Sequence, residues 1–274
     1  MWIEIYETTN KDALKDPIDV APEPVMEFEL RLVVWKTKNI EAMDVEGVSD
    51  VFCRAVLPKG EDQETDTHWR CANGEASFNY RLKLPVRSDD ASFQLSVQAW
   101  DKDVIASNDL IGTCELDLEP MVYDSKMTGR QMYLSKKYWE EHLKHTLLDK
   151  GDQIAHEIEF EDDDRFWLPM RRKVDDDFVG TGDVLCSLTL LPKGTAEKYP
   201  QGSGQQEPNS DPNVPPPEGR IKLSMNPIEM ALQMVGPEFK AKMFTCLVCG
   251  ACVALFVMML PMIISNLITK AMVG

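Results

Sequence analysis

The chain has 274 residues, 46 of them acidic and 29 basic, for a formal charge of −17. That balance excludes a nucleic-acid binder relying on broad phosphate attraction, and it sets the bare protein against anionic surfaces unless a bound cation changes the sign locally. The length allows one large or two small domains, and seven cysteines without a regular framework favour reduced thiols and a cytosolic soluble part.

Residues 1–26 read as a lead-in. Met1 to Asn10 has no basic region and no apolar core, so no signal peptide is expected; Trp2 to Glu7 alternates like a strand, and Asp16 to Pro24 holds three prolines. From Glu27 the pattern is β. In FELRLVVW, Phe28, Leu30, Leu32 and Val34 alternate inward, with Glu29 and Arg31 outward. VFCRAVL is a second strand, the polar run Lys59 to Thr67 a turn, and SFNYRLKLPV places Phe78, Tyr80, Leu82 and Leu84 on one face. Arg81 and Lys83 fall on the other face, either as a basic surface for lipid headgroups or as a solvated outer face. ASFQLSVQAW and IGTCELDL flank a loop, and GDVLCSLTLLP supplies the last strand. Short strands at this spacing predict an all-β fold, an eight-stranded antiparallel β-sandwich over 27–193. An insertion over about 121–180 precedes the last strand. Within it KKYWEEHLKHTLL reads as a short helix, and the acidic clusters Glu161 to Asp164 and Asp175 to Asp177 as solvated loops rather than a second metal site.

Residues 194–220 are rich in Gly, Gln, Pro and Asn and read as a flexible tether, reaching on the order of 30 Å. In the juxtamembrane segment 221–240, Asn226 and Pro227 look like a helix start and Gly236-Pro237 its end. No charge lies between Lys242 and Lys270, so 243–266 reads as a transmembrane helix; Met243 to Ile264 alone extends about 33 Å. The acidic domain precedes the span and few residues follow it. The expected topology is therefore single-pass and tail-anchored, with the domain in the cytosol at a vesicle or plasma membrane. Cys246, Cys249 and Cys252 read as apolar packing, with palmitoylation of Cys246 as the alternative. Gly250 and Ala254 permit close helix pairing.

The chemistry gathers in two loops. WDKDVIASNDLIG holds Asp101, Asp103 and Asp109; MDVEGVSDVF holds Asp44 and Asp50. Carboxylates at one end of a sandwich make a hard oxygen cage suited to Ca²⁺, whereas a single such Asp more often caps a turn. The five groups carry −5, and two Ca²⁺ ions reduce that to −1, leaving cation valences for phosphate oxygens. Met43, Val45 and Val48 in the first loop, with Val104 and Ile105 in the second, stand where loop tips enter a bilayer interface.

These loops resemble those of C2 domains, in the pattern M-D-x-x-G-x-S-D and W-D-x-D-x-x-x-x-x-D-x-I-G. The resemblance implies Ca²⁺ bound by Asp44, Asp50, Asp101, Asp103 and Asp109, with the backbone carbonyls of Met43 and Lys102. A serine common in the family's third loop is Ala106 here, beside Ser107. Over nearly the whole chain, LRLVVWKTKNI, SDVF, TDTHWR, GEASFNYRL, RFWLP, the NP before the span and the apolar C-terminal segment resemble in order the C-terminal portion of the ferlins. That implies Ca²⁺-dependent phospholipid binding in vesicle trafficking, membrane fusion or repair. The partners implied are an anionic phospholipid membrane and fusion-machinery proteins, and nucleic acid is not among them. The alternative is a Ca²⁺-independent C2 scaffold that docks a protein at a membrane. An enzyme is not expected: there is no G-x-S-x-G elbow or phosphate loop, and His142 and His145, beside Glu141 on a possible helix, read as a surface helix rather than a metal site.

Overall fold

The structure is a computed structural model and describes residues 24–43, 47–103, 107–144, 158–175, 177–220 and 237–273. The strand expected at Trp2 to Glu7 and the short helix expected after Asn226 lie outside the described residues. The strands are β1 (Glu27–Lys38), β2 (Ser49–Val56), β3 (Asp62–Glu64), β4 (His68–Cys71), β5 (Ser77–Arg87), β6 (Gln94–Asp101) and β7 (Asp109–Asp117). Helix α1 (Glu119–Thr128) and the short β8 (Met132–Tyr133) follow, then a helical turn α2 (Lys136–Tyr138) that continues as a π-turn through Leu143. Next come β9 (Glu159–Phe160), β10 (Phe166–Val174), β11 (Asp177–Pro192), α3 (Lys193–Lys198) and the long α4 (Pro237–Val273).

All ladders are antiparallel. One layer runs β5-β1-β11-β10 and the other β7-β6-β2, with β3 and β4 on the free edge of β2. A single bridge, Thr113 to Arg171, joins β7 to β10, so eight strands lie on one hydrogen-bonded path. The period-two pattern builds this sandwich as expected. Phe28, Leu30, Leu32 and Val34 of β1, with Phe78, Leu82 and Leu84 of β5, join the apolar residues of β6, β7 and β10 in one core. Cys53, Cys71, Cys114 and Cys186 are buried free thiols, and burial pushes Cys53 up to about 12, which keeps it protonated and inert.

Three expectations are corrected. RFWLP is not part of the insertion: Phe166 to Met170 are buried in β10, and Trp167 joins a second apolar cluster with Val33, Trp35, Leu185 and Val214 on the outer face. The insertion therefore ends before β10. Its Met121, Val122, Trp139 and Leu143 close one side of the core.

The stretch 194–220 is not a free tether either. After α3 it lies as a strap across the outer face of β1 and β5. Backbone oxygens of Ala196 and Tyr199 accept from Arg31; those of Gly202, Ser210 and Pro212 accept from Arg81; and Gln201 O accepts from Lys83 Nζ at 2.9 Å. Arg220 forks onto Asp66 through Nε and Nη2 at 2.7 and 2.6 Å. Arg31 and Arg81, both expected to face outward, are consequently buried, Arg81 completely.

Helix α4 is 37 residues long, or about 55 Å. Its segment Phe244–Asn266 has a mean hydropathy of 2.7 and is long and apolar enough to cross a membrane. Pro261 lies within it.

Candidate functional site

The site is built by adjacency of strand ends. β2 begins where β6 finishes and β7 begins, and the three are neighbours in one sheet. Asp50, the second residue of β2, Asp101, the last of β6, and Asp109, the first of β7, therefore meet at one rim. Asp101 pairs with Val51 on one side and with Asp109 on the other.

Main-chain donors fix the inner pair. The Asp50 N–H donates to Asp101 Oδ1 at 2.6 Å, the Arg70 N–H donates to Asp50 Oδ1 at 2.7 Å, and the Lys102 N–H donates to the Asp50 carbonyl at 2.9 Å. Asp101 is only 5% exposed, so the N–H bonds hold both side chains against their mutual repulsion. Arg70 reaches this position with a left-handed backbone, φ 58°, at the end of the sheet.

Asp103 lies in the loop after β6, and its N–H donates to Asn108 Oδ1 at 3.1 Å across the loop base. On the other loop the Met43 N–H donates to Ser49 Oγ at 2.8 Å. Two glycine positions tighten this end. A Cβ on Gly74 (φ 73°) would stand 2.6 Å from the Ile40 N, and one on Gly182 (φ 123°) 2.7 Å from the Asn39 carbonyl. The turn after β4 and the start of β11 thus press on the base of the first loop.

Asp50, Asp101, Asp103 and Asp109 are brought to this one end. Asp44 lies outside the described residues, as do Val45, Val104 and Ile105. Among the described residues no three acidic, histidine or cysteine side chains already converge on an ion. The donor set nonetheless suits a hard cation: it offers carboxylate oxygens on adjoining strands, with no nitrogen or sulfur ligand among them.

Two of the expected loop tips are corrected. Val48 is buried, 8% exposed, because it turns in at the start of β2, and Met43 packs partly against the core with its sulfur 3.2 Å from Arg172 Nη1. Nor do Arg81 and Lys83 form an open basic face; the strap covers both. His142 stacks on Tyr138 with ring centroids 4.6 Å apart, and His145 lies outside the described residues.

The C2 domain family matches residues 28–134, which takes in β1 to β8 and both loops. The chain is similar to myoferlin of Xenopus tropicalis, 26% identical over 246 residues, covering 79% of this chain and 12% of that protein. Human myoferlin is 24% identical over 274 residues, covering 88% of this chain and 13% of the relative. The chain thus spans about an eighth of the length of the relatives it matches. Among solved structures, a C2 domain of plant extended synaptotagmin 1 is 15% identical, and the match covers 62% of this chain and 98% of that one, with a TM-score of 0.37. The similarity to the myoferlins covers more of the chain than the C2 match does, so the chain holds a C2 domain over residues 28–134 and is similar to ferlins over most of its length.

Proposed function

We propose that the domain is a Ca²⁺-dependent phospholipid-binding module, held at a membrane by the chain's own apolar helix and acting in vesicle trafficking, fusion or repair. The observation that supports it is the meeting of Asp50, Asp101 and Asp109 at one rim, with Asp103 on the loop between them. Together with Asp44 and the carbonyls of Met43 and Lys102, they are the groups that would hold the ion. Bound Ca²⁺ supplies positive charge and open valences for lipid phosphate oxygens. The protein's part is to hold the carboxylates in register despite a chain charge of −17, so that the rim repels anionic lipid without the cation and admits it with the cation. In this reading the domain lies in the cytosol and works by binding rather than catalysis.

The covered β5 face favours this over Ca²⁺-independent attachment through Arg81 and Lys83, since the strap's carbonyls already occupy both side chains. The test uses the whole chain reconstituted in phosphatidylcholine proteoliposomes and mixed with phosphatidylserine liposomes, with light scattering reporting clustering. Clustering is expected with Ca²⁺ and not with a chelator, and the double variant Asp101→Asn, Asp103→Asn is expected to lose it. Full Ca²⁺-dependent clustering by that variant, or clustering indifferent to the chelator, would overturn the proposal.

A further inference from the structure

The hairpin of β10 and β11 runs past the sheet that supports it. β11 starts at Asp177, yet its ladder with β1 starts only at Asp183, opposite Lys38. The residues before Asp183 pair with β10 alone, from Val174–Asp177 to Met170–Gly182. β10 is antiparallel to β7, whose first residue is Asp109. Arg171 pairs with Thr113, and each later residue of β10 lies nearer the carboxylate rim.

Arg172 braces the hairpin to the first loop and to the start of β7. Its Nη2 meets Glu41 Oε2 at 2.8 Å, and its Nη1 faces the carbonyls of Leu110 and Ile111 at 3.4 and 3.5 Å.

The hairpin, like α1 with Tyr123 and Met127, exposes large apolar side chains. Val174, Phe178 and Val179 are exposed, and Phe178, at 65%, is the one exposed phenylalanine among the described residues outside α4. Cross-strand partners share a side of a ladder, so Lys173 and Phe178 stand together on one side and Arg171 and Gly180 continue it. The other side carries Arg172 and Val179, then Val174 and Asp177. An exposed aromatic beside cations matches the interface of an anionic bilayer, where the ring enters the acyl boundary and a lysine stem keeps its ammonium among the phosphates.

Resting on the lipid-binding reading above, we propose that this hairpin, residues 171–180, is a further lipid-contacting element. It docks on an anionic bilayer along its Lys173–Phe178 side. The sequence between Val174 and Phe178 is Asp175-Asp176-Asp177, so contact is made by the flank and not by the tip. The occupant is a bilayer for three reasons: the flank carries matching charge, Arg172 makes it continuous with the carboxylate rim, and α4 keeps a membrane close to the domain.

The test places p-benzoylphenylalanine at Phe178 in the full chain, reconstituted as above and mixed with phosphatidylserine liposomes in Ca²⁺. A control places it at Tyr123 on α1, which is 61% exposed and lies at the insertion. Photolysis is expected to give lipid adducts at 178 and few at 123. In parallel, Phe178→Ser and Lys173→Glu are expected to weaken Ca²⁺-dependent clustering about tenfold while melting like the parent, since both side chains are exposed. Equal adduct yields at 178 and 123, with clustering unchanged in both variants, would overturn the hairpin's role. If clustering still needs Asp101 and Asp103 in that case, the parent reading stands without it. A parent chain that neither clusters nor labels in Ca²⁺ would overturn both.

Discussion

Arg81 is the largest fully buried side chain of the described residues, and its surroundings explain why an arginine sits there. Gly202, Ser210 and Pro212 turn main-chain carbonyls toward one point, with the Pro212 oxygen 2.7 Å from Nη2. A planar fork of donors answers several carbonyls at once, which an ammonium cannot do in the same geometry. The Nε has no partner, so the fit is held by the outer nitrogens alone. Arg81→Leu fills similar space but leaves the carbonyls unpaired under the strap. We expect it to cost about 2–4 kcal/mol in denaturant unfolding and to expose 201–212 to limited proteolysis. Nothing in the sequence marked Arg81 as buried, because alternation assigns it correctly to the outer face and is silent on what covers that face.

At the scale of elements, the strands were legible and the strap was not, for one reason. β1, β5 and β6 declare themselves through side chains that alternate with the sheet pleat. The strap holds on through main-chain oxygens, and glycines and prolines offer those without any side-chain signature. β10 hid for the opposite reason. Phe166, Trp167, Leu168 and Met170 are buried on both faces, so the strand has no alternation to read. Of the five carboxylates, the four within the described residues lie at one end because the loops that carry them join strand ends that are neighbours in one sheet. Val48 was misjudged because its apolar character suits a loop tip and a buried strand start equally.

The strap's far end gives a prediction of its own. His68 lies against Gly219, where a Cβ would meet the imidazole at 2.2 Å, and the Trp69 N–H donates to the Gly219 carbonyl at 2.9 Å. Burial, aided by Arg220 nearby and opposed by Ser77 and Glu218, holds the His68 imidazole below its ordinary value. The folded state then prefers neutral histidine while the unfolded chain still takes up a proton near 6.5. This contribution is whole above that value and fades as pH falls below it. Hydrogen-exchange protection of the Trp69 amide is expected to drop between about pH 7 and pH 5, and His68→Gln is expected to flatten that dependence.

At the scale of the molecule, what matters is how far the domain can stand from its anchor. Were the chain free from Lys193 onward, 44 residues would separate the sandwich from α4. With the strap seated and Arg220 forked onto Asp66, only residues 221–236 remain, a contour of at most about 55 Å. On the proposed topology the rim therefore searches a volume a few nanometres across, beside its own bilayer. Lipid contact there is intramolecular, at an effective concentration in the millimolar range, so a cation-dependent affinity too weak to register for a free domain would still keep the rim seated. Inserting Gly-Ser repeats after Arg220 dilutes that encounter roughly as the −3/2 power of leash length, and should raise the Ca²⁺ needed for docking on the home membrane. The strap acts as a setting on local lipid concentration: where it binds decides how much affinity the carboxylate rim has to supply.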